Sequence, residues 1–195
     1  MPAPLQPSLF ESDPSWPEGF AYQPEAISPA LEGDLVEQIA SLPLSPFEFH
    51  GHVGNRRVAS FGWRYDFAER RIGSASAIPD FLLGARAHAA QFAGWPAAAF
   101  EQILVTEYRP GAGIGWHRDK GEFGTIVGLS LGGPCVFRLR QKDGGGWRRV
   151  SQTLEPRSAY LLAGLVRTEW EHSIPPVSTL RYSITFRTLA AGAGA

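Results

Sequence analysis

The sequence predicts a mainly β fold with flanking helices, a sandwich or jelly roll with two helices packed outside it. The first observation behind this prediction is a series of eight short segments after residue 100 that are rich in β-branched and aromatic residues. The second is that turn formers such as RPGAG, GGP, KDGGG and PPVS separate these segments. The third is that two segments of helical periodicity precede them, so the strands are gathered in the second half of the chain.

We expect one domain over residues 1–195, because a chain of this length buries a core of its own. Residues 1–26 are rich in proline and predict an irregular arm. The segment 28–42 predicts a first helix, in which Ser28 caps the N-terminus and Pro29 takes the first helical position. The apolar stripe of this helix is Leu31, Leu35 and Ile39.

The region 27–100 holds the helices and a candidate substrate lid. Between the two predicted helices, segments 47–52 and 56–67 mix aromatic and β-branched residues. They predict two strands around a hairpin near Gly54 and Asn55, since Gly-Asn is a turn-forming pair.

A second helix and the β core complete the chain. Segment 79–94 predicts the helix, which ends near Gly94. One side of this helix carries Phe81, Ala85, His88 and Phe92. Residues 101–189 are predicted to form the β core, whose expected strands are 101–108, 113–119, 124–132, 135–141, 147–155, 158–164, 167–174 and 180–188.

Composition and charge limit the possible functions. Eighteen basic residues against 19 acidic ones give a formal charge of −1, so binding to nucleic acid requires a local basic patch. The single cysteine, Cys135, excludes an internal disulfide framework and lies in an apolar segment typical of a core residue. The start lacks a secretory pattern, and no stretch approaches the roughly 18 apolar residues of a membrane span. We therefore expect a cytoplasmic protein with no membrane segment.

The stretch GWHRDK at 115–120 places His117 and Asp119 two residues apart. In an extended strand both side chains point to the same face. They are then two metal ligands, a base with its orienting carboxylate, or a salt bridge on a solvated strand. The stretch by itself leaves all three interpretations open.

Two later segments make metal binding a hypothesis for the chain as a whole. His172 follows His117 by 55 residues in a strand pattern, and two imidazoles with one carboxylate are the facial triad of non-haem iron(II) sites. The last strand segment alternates, and one of its faces carries Arg181, Ser183, Thr185 and Arg187. A guanidinium on that face suits the far carboxylate of a dicarboxylic cosubstrate. A half-exposed strand with solvated arginines is the competing interpretation.

Together these segments resemble the AlkB-like 2-oxoglutarate- and Fe(II)-dependent dioxygenases. The motifs that carry the resemblance are LVTEYRPGAGIGWHRDK at 104–120 and EHSIPPVSTLRYSITFRT at 171–188. The resemblance is strong over the C-terminal half of the chain and weak over the N-terminal half. It implies a double-stranded β-helix (jelly-roll) core, the metal Fe(II), the cosubstrate 2-oxoglutarate, and dioxygen.

The resemblance also implies roles for individual residues. The implied metal ligands and catalytic residues are His117, Asp119 and His172. The implied cosubstrate-binding residues are Arg181, Tyr108, Arg187, Ser183 and Thr106. Many members of the family have asparagine where Thr106 and Ser183 stand, so these contacts are made by shorter groups here. Gly121 stands where the founding member has a base-reading aspartate, so base preference does not transfer.

The stretch 54–71 predicts a substrate lid. Its arginines are interleaved with aromatic residues, as in surfaces that stack bases and contact phosphates, and FGWRYDF resembles the family's nucleotide-recognition lid. The candidate substrate-binding residues are Trp63, Tyr65, Arg64 and Arg57. A core-packing strand with solvated arginines is the alternative for this stretch.

The implied reaction is oxidative dealkylation of N-alkylated bases, coupled to decarboxylation of 2-oxoglutarate to succinate. The implied partner is alkylated DNA or RNA, with DNA repair favoured, and the sequence indicates no obligate protein partner. Three alternatives stay open: the same chemistry on RNA, the same chemistry on a protein or small molecule, and a non-catalytic binder of alkylated nucleic acid.

Overall fold

The structure is a computed structural model that describes residues 16–49, 52–66, 69 and 71–192. Three α-helices are described: α1 (Pro29–Ala40), α2 (Leu83–Ala93) and α3 (Gly164–Glu169). The strands before residue 100 are β1 (Phe20–Gln23), β2 (Ser45–Phe49), β3 (His52–Phe61), β4 (Trp63–Asp66) and β5 (Arg71–Ser74). The strands after it are β6 (Phe100–Tyr108), β7 (Ile114–His117), β8 (Phe123–Gly132), β9 (Cys135–Asp143), β10 (Gly146–Leu154), β11 (Ala159–Leu162), β12 (Glu171–Ile174) and β13 (Arg181–Leu189).

The strands form two facing antiparallel sheets and one small hairpin. The larger sheet has seven strands in the order β1-β11-β8-β13-β6-β3-β2, and the smaller has four in the order β10-β9-β12-β7. The hairpin is β4-β5. The last eight strands divide equally between the two large sheets, which is the arrangement of a jelly roll. The predicted fold class is confirmed.

The outer face of the seven-stranded sheet packs against α1 and α2. Ser28 caps α1 as predicted, since its hydroxyl accepts a hydrogen bond from the backbone N–H of Leu31 at 3.2 Å. The buried side chains of this layer include Leu35, Ile39, Ala85, Ala89, Ile103, Val105, Ile184 and Phe186. Burial of one large apolar side chain contributes about 1.5–3 kcal/mol, so this layer fixes which face of each strand turns away from the helices.

The space between the two large sheets holds a second core. Phe137, Tyr160, Leu162 and Trp170 are buried there, together with the inner side chains of β9 and β12. Gly128 on β8 makes room for the ring of Tyr160, because a Cβ at Gly128 would lie 2.1 Å from a ring carbon. A side chain at that position would therefore displace Tyr160 from between the sheets.

Three local predictions are wrong. Part of the arm 1–26 is the strand β1, which pairs with β11 at the sheet edge. Gly54 and Asn55 lie inside β3 rather than at a turn, because β2 and β3 pair up to Phe49 and His52. The start of the predicted strand 167–174 belongs to the helix α3.

Several predictions fall partly outside the described residues. These are residues 1–15 of the arm and the tip of the predicted lid at 67, 68 and 70.

On α2, His88 is exposed, and the buried side is formed by Ala85, Ala89 and Ala90. Within the described ranges no helix has the length and apolar character needed to cross a membrane.

Candidate metal centre

The two histidines of the predicted triad lie side by side on neighbouring strands. His117 ends β7 and His172 is near the start of β12, and the antiparallel register pairs them directly. Their ring centroids are 4.2 Å apart. Pairing of β7 with β12 therefore brings together two residues that are 55 positions apart in the chain.

Asp119 completes the cluster from the loop just beyond β7. Its Oδ2 lies 3.4 Å from Nε2 of His172. The potential ligand atoms of His117, Asp119 and His172 all lie within 4.8 Å of one another. The structure thus brings the three predicted ligands to one point, with the donor set of a facial triad.

The ring of His117 is oriented by the backbone. Its Nδ1 is 2.8 Å from the carbonyl oxygen of Gly115. A carbonyl only accepts hydrogen bonds, so Nδ1 carries the proton and Nε2 keeps a lone pair. This is the tautomer and the type of backbone contact that metal-bound histidines have in proteins.

The protonation states of the cluster suit a cation. Burial lowers the pKa of His172 to about 3, and burial also lowers the pKa of His117. Burial by itself would raise the pKa of Asp119, but the charge of Arg187 is the main cause that outweighs it and holds that pKa well below its usual range. Neutral imidazoles and an ionised carboxylate are the forms that bind metals.

Arg187 holds the other oxygen of the Asp119 carboxylate. Its Nη2 donates to Oδ1 of Asp119 at 2.8 Å, and its Nη1 donates to Oε1 of Gln102 at 2.9 Å. Oδ1 is therefore occupied, whereas Oδ2 faces His172. The sequence did not single out Gln102, although its position opposite Arg187 in the sheet follows from the register of β6 and β13.

A second buried arginine organises the loop that carries Asp119. Arg167 on α3 donates hydrogen bonds to the carbonyl oxygens of Asp119, Lys120, Phe123 and Gly124. These hydrogen bonds close the loop between β7 and β8 onto α3. No sequence pattern indicates this role, because the segment around Arg167 predicts a strand.

Arg181 lies in the interior, and the described part of the chain gives it no anionic partner. It is fully buried, and its Nε donates to the Ser130 hydroxyl at 3.3 Å. Among the described residues, neither of its terminal nitrogens has a hydrogen-bond partner. Its guanidinium carbon lies 5.1 Å from the ring centroid of Tyr108. A buried cation without an anion is costly, and the carboxylate of a dicarboxylic acid fits this position.

The remaining predicted cosubstrate residues share the face of Arg181. The sheet register places Tyr108 opposite Arg181, and it places Ser183 between Thr106 on β6 and Ser130 on β8. Paired residues point to the same side, so this face presents hydroxyl groups beside the guanidinium. The sequence did not single out Ser130.

The predicted substrate-binding residues are divided between different faces. The ammonium of Lys120, one residue after Asp119, lies 4.8 Å from the ring centroid of Tyr65 on β4. Trp63 shares the strand face of Tyr65, whereas Arg64 points to the other side and is exposed. Thus the β4-β5 hairpin meets the metal-motif loop through Tyr65.

Arg57 lies on the face of β3 that points away from the candidate metal centre. Its Nε and Nη2 donate to the two carboxylate oxygens of Glu107 at 2.8 and 2.7 Å, and its role in substrate binding stays a prediction. The neighbouring Arg56 points inward instead and is paired with Tyr108 in the sheet. Burial lowers the pKa of Arg56. The charge of Arg187 lowers it further, whereas Tyr108 and Asp119 act in the opposite direction. Sequence reasoning did not single out Arg56, the residue of this pair that lies on the same face as Tyr108.

The fold and the site together define a class of protein. A jelly roll with two histidines and one carboxylate converging between its sheets is the architecture of a metal-dependent oxygenase. The family model of the 2OG-Fe(II) oxygenase superfamily matches residues 32–187, and the chain belongs to this family. The family's description implies Fe(II) and 2-oxoglutarate, and the cluster of His117, Asp119 and His172 offers the donor set for the metal.

Individual relatives are AlkB-like. The chain is 26% identical over 147 residues to "Alkylated DNA repair protein ALKBH8 homolog" of Arabidopsis thaliana, which covers 63% of this chain and 42% of the relative. It is 26% identical over 169 residues to "tRNA (carboxymethyluridine(34)-5-O)-methyltransferase alkbh8" of Xenopus tropicalis, covering 84% of this chain and 26% of the relative. An uncharacterized protein of Acanthamoeba polyphaga mimivirus is 32% identical over 102 residues, 46% of this chain and 48% of that protein.

The chain spans between a quarter and a half of the length of these relatives. Among solved structures, that of OsALKBH1 matches with a TM-score of 0.65 and 18% identity, covering 87% of this chain and 96% of that one. This likeness supports the jelly-roll fold.

Proposed function

We propose that the protein removes alkyl groups from N-alkylated bases in nucleic acid, coupled to decarboxylation of 2-oxoglutarate to succinate. Repair of alkylated DNA is the first candidate for its biological role. The observation that carries the proposal is the contact between the β4-β5 hairpin and the metal-motif loop. In this contact the ring centroid of Tyr65 lies 4.8 Å from the ammonium of Lys120, the residue that follows Asp119.

In this proposal the metal and the cosubstrate have separate anchors. His117, Asp119 and His172 hold the iron, and Arg181 with Tyr108 binds the far carboxylate of 2-oxoglutarate. Iron(II), 2-oxoglutarate and dioxygen supply the oxidative hydroxylation of the alkyl carbon, after which the alkyl group leaves as an aldehyde. The carboxylate would be received by the terminal nitrogens of Arg181, which have no hydrogen-bond partner among the residues that the structure describes.

The protein's own contribution is to orient these groups and to exclude water. Arg187 and Gln102 fix the Asp119 carboxylate from behind, so that a single oxygen is presented beside His172. The burial of Arg181 and His172 keeps the interior dry, which strengthens the charge interactions there.

The rim of the site carries groups suited to a nucleotide. Tyr65 offers a ring on which a base can stack, and Lys120 and Arg56 offer positive charge for phosphate. An enzyme that acts on a base must receive that base unstacked from its neighbours, and an aromatic hairpin at the mouth serves this step.

A tRNA substrate is the second candidate, and the names of the relatives favour it. Two of the relatives are named as enzymes of tRNA, and one is named as an alkylated DNA repair protein. The matches with the two tRNA enzymes cover about a quarter of each. The proposal takes from those names only the class of substrate.

The test is a matched panel of substrates. The protein is incubated with Fe(II), 2-oxoglutarate and air, and with single-stranded DNA and RNA of one sequence that carry one N-methylated adenine or cytosine. Methylated tRNA is a third substrate, and mass spectrometry measures restored bases and succinate. We expect base restoration in at least one nucleic acid, with the His117→Ala variant inactive on all of them.

The alternatives give different results in the same panel. Succinate formation without base restoration on any nucleic acid contradicts the proposal and favours a protein or small-molecule substrate. Tight binding of the methylated strand with neither succinate nor restoration favours a non-catalytic binder. Restoration in RNA but not DNA assigns the role to RNA.

A further inference from the structure

The four-stranded sheet has an outer face that takes no part in the candidate metal centre. Side chains alternate along each strand. On β9 the side chains of Phe137 and Leu139 are buried between the sheets, so those of Arg138 and Arg140 point outward. The outward residues of the four strands include Trp116, Arg138, Arg140, Lys142, Trp147, Arg149, Glu171 and Ser173. We call this surface the outer ladder.

Basic groups and indole rings alternate along the outer ladder. The guanidinium carbon of Arg140 lies 4.4 Å from the ring centroid of Trp116 and 4.0 Å from that of Trp147. Arg138 lies over Trp116 at 5.0 Å, and the ammonium of Lys142 lies 5.9 Å from the ring of Trp147. The order across the surface is therefore cation, ring, cation, ring, cation.

The outer ladder is positively charged although the chain as a whole has a formal charge of −1. Its basic residues face one acidic residue, Glu171, which pairs with Arg140 at 2.6 Å. Arg149 is exposed, and within the described residues Arg138 donates only from Nε, to the hydroxyl of Ser173. A guanidinium that stacks on a ring by its face keeps its remaining N–H edges for a phosphate.

The two large sheets differ in what covers their outer faces. The helices α1 and α2 cover the outer face of the seven-stranded sheet with an apolar layer. The outer ladder instead carries charged and indole side chains that are exposed or half-buried. Its chemistry is that of the grooves that bind single strands, where rings stack on bases and cations meet the backbone.

The outer ladder also begins next to the candidate metal centre. Trp116 precedes His117 on β7, which is the edge strand of the four-stranded sheet. Neighbouring residues on a strand point to opposite faces, so one strand presents a metal ligand inward and an indole ring outward. A nucleic acid that leaves the site across this edge meets Trp116 first.

We propose that the outer ladder binds the single-stranded nucleic acid that flanks the base held in the site. The proposal rests on the proposed function and adds to it a second binding surface for the same substrate. It predicts that affinity for a long strand depends on residues that a very short substrate does not reach.

The test measures binding and turnover separately in the full-length protein. Fluorescence anisotropy follows the binding of an unmodified single strand of about 20 nucleotides, longer than the roughly 4–16 nucleotides covered by small single-strand-binding domains. Dealkylation is measured on this length and on a trinucleotide, each with one N-methylated base. The variants are Trp147→Ala, its conservative control Trp147→Phe, and the double variant Arg138→Gln/Arg149→Gln.

We expect Trp147→Ala to weaken binding of the long strand about 5- to 100-fold, and Trp147→Phe to retain most of it. The double arginine variant should lower the slope of log affinity against log salt by about 0.7 for each phosphate group that the protein no longer neutralises. Arg86→Gln, a charge change on α2 at the far side of the seven-stranded sheet, should leave both quantities unchanged. Turnover of the trinucleotide should be the same in all of these variants.

Failure of the outer-ladder proposal and failure of the proposed function give different results in this experiment. If the wild-type protein dealkylates and binds the long strand, and the ladder variants bind it equally well, the role of the outer ladder is overturned and the proposed function stands. If the wild-type protein neither binds nor dealkylates any oligonucleotide, the proposed function itself is overturned. If trinucleotide turnover falls together with binding in Trp147→Ala, the residue supports the fold rather than a second binding surface.

Discussion

The two ends of β13 differ in how their buried arginines are satisfied. Arg181 and Arg187 lie six residues apart on the same face of this strand, and both are buried. Arg187 donates to the Asp119 carboxylate and to Gln102. Arg181 has only the Ser130 hydroxyl and the ring of Tyr108, and among the described residues its terminal nitrogens have no partner.

The difference separates an arginine that organises the protein from one that is positioned for a ligand. A buried charge is costly unless it is paired, and the charge of Arg187 is paired with Asp119 in the folded chain, with Nε its one nitrogen that has no partner among the described residues. The end at Arg181 becomes complete only when an anion arrives. On the outer face of the same sheet, the carboxylate of Glu107 forms ion pairs with both Arg57 and Arg109.

The largest expected effect is on stability, at the Arg187 end of β13. Arg187→Ala leaves the Asp119 carboxylate buried without its cation, which should lower the free energy of unfolding of the metal-free protein by about 3–5 kcal/mol. Urea unfolding measures this change. Adding Asp119→Asn to the variant should recover much of the stability, because the unpaired charge is then gone. A stability equal to that of the wild type in Arg187→Ala contradicts the assignment.

At the Arg181 end of β13, the expected effect is on the affinity for 2-oxoglutarate rather than on stability. Arg181→Ala should weaken 2-oxoglutarate binding by about 2–3 kcal/mol, or roughly 30- to 150-fold, because a charged hydrogen-bonding partner is removed. Titration calorimetry with Mn(II) in place of iron measures the affinity. Arg181→Lys is the control that keeps the charge and should lose less. The comparison breaks down if the affinity for the cosubstrate is unchanged.

A smaller effect is expected at the loop that carries Asp119. Arg167→Gln removes charge-assisted hydrogen bonds to four carbonyl oxygens and should loosen the position of Asp119. Removal of such supporting hydrogen bonds typically costs about 10- to 100-fold in metal affinity. Equilibrium titration with Co(II) measures it, and Arg167→Lys should recover part of the affinity. Metal affinity that stays constant while stability falls assigns Arg167 to folding alone.

The smallest effect is the pH dependence contributed by the paired carboxylate of the outer face. The hydrogen bond from Arg57 lowers the pKa of Glu107 from its ordinary value of 4.5. Between the lowered pKa and 4.5 the unfolded chain binds more protons than the folded one, so stability rises with pH there. This contribution is complete above pH 4.5 and is lost as pH falls through the lowered pKa. Glu107→Gln should flatten the acid side of the stability curve in thermal unfolding, and an unchanged curve contradicts it.

The sequence is informative wherever a short-range pattern carries the signal. The cap at Ser28 and the apolar stripe of α1 follow from local spacing, because a helix brings residues three and four apart together. The pairing of His117 with Asp119 follows from local spacing in the same way. The edge strand β1 and the helix α3 escape such patterns, because they depend on partners far away in the chain, namely β11 and the loop after Asp119.

By itself the sequence determined the family, the jelly-roll class and the identity of the residues that meet at the candidate metal centre, since motif spacing and strand alternation are local properties. Only the tertiary structure decided which of Arg56 and Arg57 faces inward and which of the two arginines of β13 has a partner. The physical reason is register: a shift of one residue turns every side chain of a strand to the other face. That register is set by pairing with distant strands and by the helices packed behind them.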